Sequence, residues 1–145
     1  MPQFLFAMRR AGPRAVPGLV SLIGRRDVNP GRVFHAIIYI DDTHGTDCYA
    51  KMVIGDEISD EARKKAIYFV SNPGARCVVE DLDKLLEDSA IEKKARERAA
   101  ASAEAILALM AERPNSPKES RNWARTELEK RRRAKSPKDQ HPSDP

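Results

Sequence analysis

Three carboxylates cluster in the run IIYIDDTHGTDC at residues 37–48: Asp41, Asp42 and Asp47, with His44 between them. Oxygen pairs at the end of an apolar run suit Mg2+ or Ca2+, and a hydrated cation there would assist phosphoryl transfer. His44 adds little, because both ions prefer oxygen ligands. A different chemistry is written near the other end. Lys130-Arg131-Arg132-Arg133-Ala134-Lys135 places five cations in six residues, after a polar stretch containing Trp123. That density fits phosphate-backbone contact or a localisation signal. Arg9, Arg10, Arg25 and Arg26 add a second basic group in front.

The acidic run needs two strands to bring its carboxylates together. Residues 33–40 (VFHAIIYI) are β-branched and aromatic, and residues 48–54 (CYAKMVI) alternate, so the pair predicts a β-hairpin. With His44-Gly45 as a two-residue turn, glycine supplies positive φ, Asp42 faces Asp47 and Asp41 faces Cys48. Opposed carboxylates repel unless a cation, a raised pKa or a looser loop relieves them. A solvated acidic loop meets that need without chemistry. The sequence therefore assigns no metal, no cofactor and no catalytic residue, and leaves Asp41, Asp42 and Asp47 as the only metal candidates. His35 lies about 20 Å along the strand from Asp41, too far for an acid–base dyad.

Short motifs in this run resemble known families. Tyr39-Ile40-Asp41-Asp42 is similar to the Y-x-D-D tetrad of reverse transcriptases, which implies a metal-binding hairpin turn. Here Thr43 to Asp47 intervenes before the next apolar strand. The apolar strand followed by Asp-Asp also resembles the ribose-phosphate loop of phosphoribosyltransferases, without its Thr-Gly at the expected place. Ile40-Asp41-Asp42-Thr43 is similar to the start of the nucleotide site of agmatinylcytidine synthetases, with His44-Gly45 where Asp-Ser should follow. Each covers four to six residues of 145, and none implies a function for the chain. No P-loop, G-x-G-x-x-G, G-x-S-x-G or H-E-x-x-H occurs.

The remaining elements follow from periodicity and caps. Ser59 caps a helix with Asp60 and Glu61 in its first turn, ended by Asn72-Pro73-Gly74. Residues 75–79 (ARCVV) predict a third strand, and Asp81 to Leu86 a brief helix. A capping box at Ser89 and Glu92 opens a long helix to Glu112, whose narrow stripe includes Ala95, Ala99, Ala103 and Met110. Ser116-Pro117-Lys118-Glu119 opens a polar helix through Arg133 that is marginal alone.

Charge is distributed unevenly. Residues 1–32 hold six basic and one acidic residue (+5), residues 33–88 six and twelve (−6), and residues 89–145 fourteen and nine (+5). Such a chain can lay its basic ends on nucleic acid or on an acidic protein. Cys48 and Cys77 form no C-x-x-C pair, and buried free thiols are expected. No apolar run is long enough for a membrane helix, and a cytoplasmic protein is expected, with the Arg-rich N-terminus as the argument for organelle targeting.

The sequence thus predicts an α+β domain at residues 33–113, a basic arm at 1–32 and a basic, largely disordered tail at 114–145. Its sheet would need the long helix, or a second copy of the chain, to cover one face. The expected function is non-catalytic nucleic-acid binding through Arg9, Arg10, Arg25, Arg26, Trp123, Lys130, Arg131, Arg132, Arg133 and Lys135. The alternatives are a protein-interaction module of phage, plasmid or toxin–antitoxin type, and a metal-assisted phosphoryl-transfer enzyme using the acidic hairpin.

Overall fold

The computed structural model describes residues 10, 12–23, 25–40, 44–72 and 74–135. Among them there is no strand. A short 3-10 turn, Gly12–Ala15, precedes seven α-helices among the described residues: α1 (Val16–Ser21), α2 (Pro30–Ile40), α3 (His44–Ile54), α4 (Asp60–Tyr68), α5 (Ala75–Leu86), α6 (Lys93–Glu112) and α7 (Lys118–Lys135). The expected α+β fold, with its hairpin and third strand, is overturned. Each supposed strand lies in a helix.

In α2 the Asn29 side-chain oxygen accepts from the Gly31 amide at 2.9 Å and from the Arg32 amide at 3.4 Å. Asn29-Pro30-Gly31 is therefore a helix cap followed by proline at the first helical position. The buried residues Val33, Phe34, Ala36 and Ile37 fall at offsets 0, 1, 3 and 4, a helical face. β-branched residues have weak helix propensity, and burial of that face outweighs it.

In α3 the buried residues include Thr46, Tyr49, Ala50, Val53 and Ile54, at offsets 0, 3, 4, 7 and 8. Cys48 and Met52, expected to share a sheet face with Ala50 and Ile54, are only half-buried. Gly45 does not occupy positive φ. A Cβ added there would lie 2.8 Å from the Ile37 carbonyl oxygen, so glycine is needed for the close approach of α3 to α2. Residues 75–79 belong to α5, whose buried Ala75, Val78, Val79, Leu82 and Leu85 form one stripe. Gly74 opens that helix at φ +112°, a left-handed conformation that favours glycine. Ser59 caps α4 as its sequence suggests, its hydroxyl accepting from the Ala62 amide at 3.1 Å.

The chain divides into two compact units, residues 1–106 and 107–145. In the first, α3 is central and packs on α1, α2, α4 and α5. Val16, Leu19 and Ile23, from the expected N-terminal arm, are buried there. The Tyr49 ring meets Phe34 edge-on at 5.3 Å between centroids, and its hydroxyl donates to the Ala66 carbonyl at 2.6 Å. Arg63 is 7% exposed. It donates to the carbonyls of Val53 (2.6 Å) and Gly55 (2.7 Å), and pairs with Asp60. That guanidinium fastens the end of α3 to the start of α4. Arg98 of α6 reaches the Ile54 carbonyl at 3.2 Å and Asp56 at 2.7 Å. In the second unit Leu107, Met110, Ala111 and Ala124 are buried, and most of α7 faces solvent. Among the described residues, no helix is long and apolar enough to cross a membrane.

Candidate nucleic-acid interface

The acidic run does not assemble as a hairpin. Asp41 and Asp42 lie outside the described residues. Asp47 is in the first turn of α3 and pairs with Lys51 one turn on, at 3.0 Å. The hairpin on which an opposition of Asp42 and Asp47 depends is not formed among the described residues. Next to Asp47 in sequence, the buried Thr46 hydroxyl donates to Asp81 Oδ2 at 2.7 Å. Burial pushes the Asp81 carboxyl up, against the opposing pull of the Thr46 hydrogen bond. Among the described residues no group of three or more His, Cys, Asp or Glu is placed to hold a metal ion.

The other singled-out side chains lie apart. His35 is exposed, its Nε2 3.4 Å from the Ser71 hydroxyl, at the edge of a cavity of about 760 Å³ lined by Leu19, Leu22, Val33 and Tyr39. Cys77 is exposed rather than buried, Cys48 is half-buried, and neither forms a disulfide.

The basic residues fall into two sets. In the N-terminal set Arg9 lies outside the described residues, while Arg10 and Arg26 are exposed. Arg25 is engaged by Asp27 through two bonds, Nε to Oδ1 at 3.1 Å and Nη2 to Oδ2 at 2.8 Å.

The second set is organised by α7, which has eight basic against three acidic residues, a net of +5. Helical spacing aligns Lys118, Asn122, Arg125, Glu129, Arg132 and Arg133 in one solvent-facing stripe about 22 Å long. Ala124 is fully buried on one flank of the stripe, where Arg121, Leu128 and Arg131 are half-buried. The run of five cations is thereby divided. Lys130, Arg132, Arg133 and Lys135 are exposed, whereas Arg131 turns inward. Trp123 is half-buried.

Acidic side chains temper the exposed stripe. Glu129 accepts from Arg132 Nη2 with both oxygens and from Arg133 Nε at 3.3 Å. The Arg132 hydrogen bond holds its carboxyl below the usual range. Lys130 Nζ is 3.6 Å from Glu127. Arg125 donates to the Ala111 carbonyl at 3.2 Å.

Sequence reasoning found the cation run and missed two features. It did not separate Arg131 from Arg132 and Arg133, although helical spacing on either side of Ala124 contains that signal. It also missed the Arg63 clamp, because DEARKK reads as a solvated charge run and nothing in its spacing points to buried carbonyls.

No family model matches the chain, and no curated protein or solved structure does either.

Proposed function

We propose that the protein binds nucleic acid without catalysis, through the solvent-facing stripe of α7 assisted by Arg10 and Arg26. The observation that supports this reading is the helical alignment of Lys118, Arg125, Arg132 and Arg133 on one exposed face. A helix holds these cations at fixed spacing, so the ordering cost of engaging several phosphates is partly met before binding. Guanidinium suits the task because its planar fork meets two phosphate oxygens at once. The reading involves backbone contact and no base readout, so sequence preference should be weak.

The test is fluorescence anisotropy with a labelled 20-base-pair duplex and a 20-nucleotide single strand, from 50 to 300 mM KCl. Binding should weaken steeply with salt, with a slope of about 0.9 per phosphate contact on the duplex. The double variant Arg132→Gln, Arg133→Gln should lower that slope by about 2 and weaken binding at least tenfold near 100 mM. Absent or salt-insensitive binding by the wild type overturns the proposal. Binding that survives nuclease treatment in a pull-down would instead favour a protein partner.

A further inference from the structure

The stripe is not a bare row of cations. Glu129 stands in its middle, and Arg125, Lys130, Arg133 and Thr126 line the same shallow depression of about 390 Å³ beside it. Arg132 reaches the carboxylate with one Nη bonded to both oxygens, and Arg133 adds Nε at 3.3 Å. Two guanidiniums thus hold one carboxylate, with Arg125 and Lys130 lining the depression beside it. The donors are charged guanidinium N–H groups and the acceptor is an oxyanion, the same chemistry that meets a phosphodiester.

We infer that Glu129 occupies the place of a backbone phosphate, and that nucleic acid binds α7 by displacing it from Arg132 and Arg133. The inference rests on the reading of α7 as a nucleic-acid interface. Two arguments give the direction of the effect. Exposed pairs spaced three and four residues apart on a helix are weak, so the carboxylate is readily exchanged. A phosphodiester on a duplex brings its counterion release as well, which an internal carboxylate lacks. Glu129 therefore lowers affinity by holding two donors, and it limits indiscriminate attachment to other polyanions. Glu127 offers a contrast of equal charge: it lies 3.6 Å from Lys130, outside the clasp on Arg132 and Arg133.

The experiment compares wild type, Glu129→Gln and Glu127→Gln on the same 20-base-pair duplex across the salt series, with thermal melting as a check on folding. Both substitutions add one positive charge. Glu129→Gln should tighten binding about tenfold near 100 mM KCl and steepen the salt slope by 1–2, because two guanidiniums are released. Glu127→Gln should tighten it about threefold, with a slope change below 1. Equal effects from the two variants would reduce Glu129 to net charge and overturn the inference, while leaving nucleic-acid binding intact. Weaker binding by Glu129→Gln would overturn it too, by making the carboxylate a positioner of the arginines. Failure of all three proteins to bind removes the nucleic-acid reading and this inference with it.

Discussion

Arg63 and Arg132 are the same side chain put to opposite uses. Arg63 is closed off from water, and its donors meet the carbonyls of Val53 and Gly55 together with Asp60. Arg132 lies on the surface of α7, and its partner there is the carboxylate of Glu129. Backbone carbonyls at the end of α3 have lost their helical partners, so a buried guanidinium there satisfies groups that water cannot reach. A surface carboxylate already has water as an alternative, and the pair adds little to stability. The lesson is that an arginine's acceptors, more than its charge, separate structure from availability.

The largest test of that contrast is Arg63→Ala. It leaves carbonyls of the α3–α4 corner without donors and should cost about 2–4 kcal/mol in a urea titration. A loss below 1 kcal/mol would mean that the corner admits water, and the contrast would fail.

Tyr49→Phe asks a milder version of the same question with a neutral donor. Losing the hydroxyl bond to Ala66 should cost about 1 kcal/mol. Burial raises the Tyr49 pKa above its ordinary value of 10. Its stabilising contribution is therefore present below pH 10 and is lost as pH climbs beyond it. The wild type should destabilise more steeply than Tyr49→Phe in alkaline unfolding series, and parallel curves would contradict the buried, bonded hydroxyl.

Smallest in stability is the double variant Arg132→Gln, Arg133→Gln, which should stay within about 0.5 kcal/mol of wild type. Its effect belongs in the binding assay. A larger stability loss would make these arginines structural and weaken the case for α7 as an interface.

The sequence made some parts of the molecule legible and hid others. Ser59 with Asp60 and Glu61 announces α4, because a cap is a local hydrogen bond set by a few residues. The course of α6 up to Glu112, before Arg113-Pro114, was legible for a similar reason. The three supposed strands misled because their β-branched content concealed a helical period. Val33, Phe34, Ala36 and Ile37, then Thr46, Tyr49, Ala50 and Val53, become helical faces once tertiary burial is known. Asn29-Pro30-Gly31 reads equally as a turn or as a cap. The outcome depends on whether the following apolar face finds a partner, and α3 provides one. At the candidate interface the cations of residues 130–135 were visible as composition. Their division by the buried Ala124 side, and the clasp on Glu129, required the helix.

Gly45 leaves a warning for anyone who scans this chain by substitution. A methyl group there would meet the Ile37 carbonyl oxygen at 2.8 Å, so even alanine forces α2 and α3 apart. A tolerance map would show a sharp depletion in the middle of IDDTHGTD, the stretch whose letters most resemble an active site. That depletion would record the thickness of a side chain between two backbones.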